Sequence, residues 1–133
     1  MSDRETLRAV MDRFIHEIWE EQRLDVLSEI VKEDATLYFG EDTLTGIEAI
    51  REYIGAVHTA FPDLRYEIAD LFFDGDKIAM RFIGSASHQG DYDGKAATGK
   101  NVSYEGLTIF HMDGNRIAEG WSQSDWPLKF PEL

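Results

Sequence analysis

Apolar residues recur at helical spacing through the first third of the chain. Ser2 followed by Glu5 is typical of a capping box at a helix start. The stretch from about Leu24 to Val31 predicts a second, shorter helix, with Leu24, Leu27, Ile30 and Val31 facing inward. The first helix carries one apolar face, formed by Leu7, Val10, Met11, Phe14, Ile15, Ile18 and Trp19.

A short strand and a third helix follow. Residues 34–40 ("DATLYFG") are typical of a strand that a glycine ends. Thr45 and Glu48 fit a second capping box, and Pro62 ends this helix because proline disfavours helical geometry in the residue before it. The apolar positions of the third helix are Ile47, Ile50, Ile54, Val57 and Phe61.

Beyond Pro62 the pattern changes from helical spacing to alternation. It predicts strands over 64–73 and 77–90, a loop over 91–99, a strand from about Lys100 to His111, and a last strand through about Ser124. Asp-Gly pairs between the runs indicate hairpins. Helices followed by an antiparallel meander predict a single α+β domain over 1–133. A curved sheet wrapped around helices forms a cone with an open end, which suits a small-molecule pocket.

Strand alternation directs one histidine toward that interior. In the strand from Lys77, the apolar parity runs through Phe82 and Ala86 to His88. An imidazole titrates near neutrality, so a pocket-facing histidine can give or accept a proton. The alternative is a histidine at the strand end that binds a loop carbonyl.

The last strand offers an acidic candidate. Trp121, Gln123 and Asp125 share one parity, with Ile117 and Glu119 before them. A carboxyl group beside indole rings in a dry pocket can serve as general acid or base, because desolvation disfavours its charged form. The alternative is an aspartate that caps a turn before Pro127.

Charge and composition narrow the function classes. The 133 residues include 13 basic and 26 acidic side chains, which gives a formal net charge of -13. Such a surface repels nucleic-acid backbones and anionic membranes, so we expect neither as a partner. No cysteine is present, and the four histidines lack metal-ligand spacing, so no metal site is expected. We expect a cytoplasmic protein, because the charged start does not fit a signal peptide.

Taken together, residues 61–126 resemble the SnoaL-like polyketide cyclases, also called ester cyclases, and the likeness extends into the helical first third. This family belongs to the nuclear transport factor 2-like superfamily, which includes ketosteroid isomerase. The matching features are "FPD" (61–63), "DGD" (74–76), His88 before Gly90, "TGK" (98–100), Asp113-Gly-Asn-Arg-Ile117, and a tryptophan at 121 four residues before Asp125.

The resemblance implies a cone of three helices and a curved mixed sheet, a homodimer, and no metal or organic cofactor. It also implies that Asp125, followed by Trp126 and Pro127, is the general acid/base, although an ungapped count from the Asp-Gly turn reaches Ser122 instead. His88 matches the family's pocket histidine. The chain departs from the family at Leu107, where a histidine is expected, and at Tyr38, where a histidine or asparagine is common.

The resemblance, together with His88 and Asp125, implies a cofactor-independent enzyme of the cyclase/isomerase (lyase) type that acts on a polyketide-like or other small carbonyl substrate. Asp125 would move the proton, and an enolate oxygen would need a donor. A non-catalytic binder of an apolar ligand, and a cofactor-free hydrolase or dehydratase, stay open as alternatives. The candidate donors are His88, Tyr38 and Tyr104, and the candidate pocket walls are Trp19, Phe82, Phe110 and Trp121. Leu107 is also expected to contact the substrate.

Overall fold

The computed structural model describes residues 3–133, so the Ser2 half of the predicted capping box lies outside the described residues. The helical elements are α1 (Asp3–Arg13) with a π-helical continuation (Phe14–Glu20), a 3-10 helix (Leu24–Glu29), α2 (Ile47–Ala60), α3 (Trp126–Lys129) and a terminal 3-10 turn (Phe130–Glu132). The strands are β1 (Val31–Phe39), β2 (Asp42–Thr45), β3 (Arg65–Asp74), β4 (Lys77–Ser87), β5 (Asn101–Asp113) and β6 (Arg116–Ser124).

The six strands form one curved, unclosed sheet in the order β2-β1-β6-β5-β4-β3. The β1–β6 pair is parallel and the other pairs are antiparallel, so the predicted α+β architecture with a mixed sheet is confirmed. The apolar face of α1 and its π-helical continuation packs into the concave side, where Met11, Ile18 and Leu37 are fully buried. Over the described residues, no helix is long and apolar enough to cross a membrane.

The alternation predicted for β4 is confirmed, because Ile78, Met80, Phe82 and Ala86 are all buried. The strand ends at Ser87, however, rather than at residue 90. The predicted second helix is shorter and tighter than expected: it is a 3-10 helix that ends at Glu29, and Val31 already belongs to β1.

Strand β2, helix α3 and the terminal 3-10 turn were not predicted from the sequence pattern. Strand β2 is short, polar and mostly exposed, so it carries no alternating signal. Helix α3 is a single turn with proline in its first positions. The capping box predicted at Thr45 is wrong, because the residue before α2 is Gly46, whose φ of 88° lies in a region that side chains avoid.

A β-bulge in β6 overturns the single parity predicted for that strand. His111 pairs with Glu119 and Met112 pairs with Ile117, which leaves Ala118 without a partner on β5. An extra residue reverses the side-chain direction beyond it. Trp121 therefore lies on the outer face of the sheet, and Ser122 lies on the inner face.

The outer face of the sheet carries a row of apolar side chains across its strands. Phe72 pairs with Ala79, Ala79 with Ile109, and Ile109 with Trp121. Trp121 also pairs with Tyr38 of β1, and their rings stack with centroids 5.7 Å apart. Phe72 is 66% exposed, Ile109 48% and Trp121 37%, so this row is open to solvent in the single chain.

Candidate functional site

A cavity of about 630 Å³ lies between the inner face of the sheet, α2, the π-helical stretch and the C-terminal segment. Ten of the 22 lining residues are aromatic: Trp19, Phe39, Tyr53, Phe61, Tyr66, Phe82, Tyr92, Tyr104, Trp126 and Phe130. The rest of the lining is Gly40, Glu41, Asp42, Val57, Leu64, Ala86, Asp93, Val102, Ser122, Gln123, Ser124 and Pro127. A concave aromatic site of this size suits a small organic molecule.

A pair of phenols, Tyr66 and Tyr104, forms part of the cavity wall. Gly84 of β4 pairs with Tyr66 on one side and with Tyr104 on the other. Because Gly84 has no side chain, the two tyrosine rings meet above it, and their hydroxyl groups form a hydrogen bond. One O–H is used inside the pair, which leaves the other O–H available to a ligand.

Burial holds both phenols in their neutral form. Loss of solvation raises the pKa of Tyr66 and of Tyr104 well above the usual range of a phenol. Trp19 and Phe82 pack edge-to-face against Tyr66, with ring centroids 5.6 Å and 5.5 Å away. The pair is therefore a fixed, neutral hydrogen-bond donor at neutral pH.

The solvent-facing edge of the cavity is acidic. Glu41 and Asp42 follow β1, and Asp93 lies in the loop between β4 and β5; all are exposed and line the cavity. A second phenol pair, Tyr53 and Tyr92, interacts beside them. Burial raises the pKa of Tyr53 and of Tyr92, and the nearby negative charge of Asp42 raises both further.

His88 is fully buried just beyond the end of β4, but it is not part of the cavity lining. Its ring stacks on Phe61, with centroids 5.3 Å apart, and its Nδ1 lies 3.2 Å from Thr98 Oγ1. Its backbone N–H donates to Lys100 O at 2.9 Å. The predicted inward direction is correct, and the contacts anchor the following loop; the catalytic role stays a prediction.

Asp125 also lies outside the cavity lining, between the lining residues Ser124 and Trp126. Its Oδ1 accepts a hydrogen bond from Glu105 N at 2.9 Å, and its own N–H donates to Glu105 O at 3.1 Å. Its backbone carbonyl accepts hydrogen bonds from the N–H groups of Leu128 and Lys129 in α3. The structure does not bring Asp125 and His88 together in the cavity, and the acid/base role of Asp125 likewise stays a prediction.

Ser122 occupies the inner-face position of β6 that the ungapped count reached. It lines the cavity and accepts a hydrogen bond from the buried Thr108 hydroxyl at 3.0 Å. An adjoining cavity of about 40 Å³ shares Ser122, Tyr66 and Phe82 with the main cavity and is also lined by Thr108 and Phe110. The inner face of the last strand therefore presents a hydroxyl group rather than a carboxylate.

The predicted wall residues divide between the two faces of the sheet. Trp19, Phe82 and Tyr104 line the main cavity as predicted, and Phe110 lines the smaller one. The predictions for Tyr38, Leu107 and Trp121 as substrate-binding residues do not match this placement, because these residues lie on the outer face. The bulge in β6 explains why Trp121 lies on the outer face. Leu107 lies there because it pairs with Arg81, which is at an outward-facing position of β4.

Several lining residues were missing from the predicted site. Tyr66 has the inward parity of the predicted strand over 64–73, so the alternation could have identified it. Tyr53 and Tyr92 could not be identified in this way, because one flanks the apolar stripe of α2 and the other lies in a loop.

The comparisons with known proteins agree with this architecture. The family model of SnoaL-like polyketide cyclases matches residues 9–126, and the chain belongs to that family. No curated protein matches the chain. The predicted nuclear transport factor 2-like, ketosteroid-isomerase-type fold is confirmed by solved structures that share it.

Three solved structures illustrate the likeness. A protein from Jannaschia sp. CCS1, assigned as a SnoaL-like polyketide cyclase, superimposes with a TM-score of 0.85 at 19% identity, and the match covers 93% of this chain and 88% of that one. A protein from Acidithiobacillus ferrooxidans, assigned as a polyketide cyclase, superimposes with a TM-score of 0.84 at 26% identity. The match covers 100% of this chain and 97% of that one. IdmH from Streptomyces antibioticus, with the same assignment, superimposes with a TM-score of 0.80 at 20% identity. The match covers 100% of this chain and 99% of that one.

Proposed function

We propose that the protein is a SnoaL-like enzyme of the cyclase/isomerase type, which moves a proton on a small carbonyl compound bound in the aromatic cavity. The observation that supports this proposal is the Tyr66–Tyr104 phenol pair, fixed above Gly84 in the cavity wall. Its available O–H is suited to donate to a carbonyl oxygen, so the pair would hold the carbonyl group of the substrate.

The chemistry of such a site needs a donor at the oxygen and a base at the neighbouring carbon. When the base removes a proton from the carbon, negative charge develops on the carbonyl oxygen, and a preorganised hydrogen-bond donor stabilises it. The raised pKa of Tyr104 means that the phenol donates its hydrogen bond without losing the proton. The enolate can then be reprotonated elsewhere or attack a second carbonyl group of the same molecule.

In this proposal the proton acceptor is a carboxylate at the cavity edge, Asp42 or Asp93. Both line the cavity, whereas the Oδ1 atom of Asp125 already accepts a hydrogen bond from Glu105 N. Asp125 and His88 stay the alternative predicted from the sequence, and the same assay compares the assignments.

The test follows exchange of the α-protons of 1-phenyl-2-propanone with D2O by NMR. We expect the protein to accelerate exchange over buffer, and Tyr104→Phe to reduce that acceleration at least tenfold. Tyr38→Phe is the matched control, because it removes a phenol oxygen on the outer face. Loss of activity in Asp42→Asn or Asp93→Asn supports the edge carboxylates, whereas loss only in Asp125→Asn or His88→Ala supports the sequence-based assignment. Binding of the ketone without any acceleration would contradict catalysis.

A non-catalytic binder is the second candidate, and one observation favours it. The inner face of β6 presents Ser122, so the last strand places no carboxylate in the cavity. A ligand that co-purifies, is seen by native mass spectrometry and is returned unchanged after incubation would support this function over the first.

A further inference from the structure

We propose that the cavity selects small organic cations, namely aromatic compounds that carry an ammonium group. This inference deepens the proposed function by naming the charge class of its ligand, and it uses the same cavity. It rests on two independent features of that cavity: the faces of its aromatic walls and the sign of the charges at its edge.

The aromatic walls suit a weakly hydrated cation. An ammonium group over the face of a tyrosine, tryptophan or phenylalanine ring is attracted by the negative face of the π system. In the cavity wall, Trp126 meets Tyr104 and Phe61 at 61° and 85°, with ring centroids 5.1 Å and 5.3 Å apart. Tyr53 stacks on Phe39 at 4.8 Å. Trp126 lies at a steep angle to Tyr104 and to Phe61, so a ligand among these rings meets ring faces as well as edges.

The charges at the cavity edge have a single sign. Glu41, Asp42 and Asp93 are the acidic lining residues, and no lysine, arginine or histidine is found in the lining that the structure describes. Lys95 does contact the ring of Phe130, but its ammonium group already donates to the carbonyls of Phe130 and Pro131. A cation entering the cavity therefore meets carboxylates without a competing basic residue in the wall.

The negative charge of Asp42 acts on the Tyr53–Tyr92 phenol pair beside it. Burial is the main cause of the raised pKa of Tyr53 and Tyr92, and the charge of Asp42 contributes to both. The same field lowers the energy of a positive ligand and raises the energy of an anionic one. An aromatic wall offers poor ligands to a hard metal ion, so the geometry favours an organic ammonium group over a metal.

The experiment compares two ligands of nearly the same shape, (3-hydroxyphenyl)trimethylammonium and 3-tert-butylphenol, by isothermal titration calorimetry at low ionic strength. We expect the cation to bind at least tenfold more tightly. The double variant Asp42→Asn/Asp93→Asn, and 0.5 M NaCl for the unsubstituted protein, should each reduce that preference at least threefold.

The matched control is Asp74→Asn/Asp76→Asn, which makes the same change in net charge at the exposed β3–β4 turn. It should leave the preference unchanged. Equal or tighter binding of the neutral phenol, or binding of neither compound, overturns the inference, as does an equal loss of preference in the control. If the preference is missing while ketone exchange persists, the inference fails and the proposed function stands. If the preference is present and ketone exchange is absent, the inference stands and the proposed function fails.

Discussion

Replacing Gly84 with alanine tests the packing that brings the phenol pair together. A Cβ atom at this position would lie 2.8 Å from Tyr104 Cζ and 2.8 Å from Tyr66 Cε1. Carbon atoms in favourable contact are about 3.5–4.0 Å apart. Each ring must therefore retreat by roughly 0.7–1.2 Å, and the retreat separates or tilts the hydroxyl groups. The backbone of Gly84 is not in the positive-φ region, so the effect is steric alone.

The expected magnitudes follow from that displacement. Inserting a methyl group into a packed interior costs about 1–3 kcal/mol of stability. A donor misplaced by about 1 Å lowers the rate of an oriented reaction by on the order of 100-fold. We therefore expect Gly84→Ala to lower the free energy of unfolding by about 1–3 kcal/mol. The acceleration of ketone exchange should fall by a factor of about 10 to 100.

Urea unfolding followed by tyrosine and tryptophan fluorescence measures the stability, and the exchange assay measures the function. Gly55→Ala in α2 is the matched control, because its Cβ would lie an ordinary 3.7 Å from Leu24 Cδ1. There the change should stabilise the helix by up to about 1 kcal/mol. Unchanged unfolding and unchanged exchange in Gly84→Ala would refute the packing argument.

Three further changes test other parts of the structure. The folded state raises the pKa of Tyr66 and Tyr104, so these phenols lose their protons at a lower pH in the unfolded chain. The free energy of unfolding should therefore fall as pH rises above about 10. Equal urea midpoints at pH 9 and 11 would contradict this. The homodimer implied by the family resemblance stays a prediction, and we expect Ile109→Glu on the outer row to produce monomers in sedimentation velocity; a monomeric unsubstituted protein at every concentration rules the dimer out. Lys95→Met removes an ammonium group bound by two C-terminal carbonyls, so the amides of 126–133 should exchange faster with deuterium; unaltered exchange would show that the contact does not hold the segment.

The fold could be predicted where the hydrophobic pattern was long and regular. Helix α2 and strand β4 follow one period from end to end, and burial of their apolar faces fixes their orientation. Strand β2 could not be predicted, since three of its four residues are polar and its position is set by pairing with β1.

The site was harder to predict than the fold, because it depends on which residues become neighbours across strands. The meeting of Tyr66 and Tyr104 above Gly84 requires the register of two hairpins, which alternation alone does not give. His88 has the predicted inward direction, but Phe61 stands in the cavity wall and the histidine packs against it. The sequence therefore predicts whether a side chain points inward more readily than whether it reaches the cavity or packs behind the cavity wall.

Ala118, which has no partner on β5, bears on how the cavity can differ between related proteins. Deleting this one residue would turn the rest of β6 over, bringing Trp121 inside and moving Ser122 to the open face. A relative could in this way exchange the contents of its cavity with those of its outer surface in a single step, with no substitution in the strand. The number of residues between Ile117 and Gly120 therefore sets which side chains of β6 face the cavity.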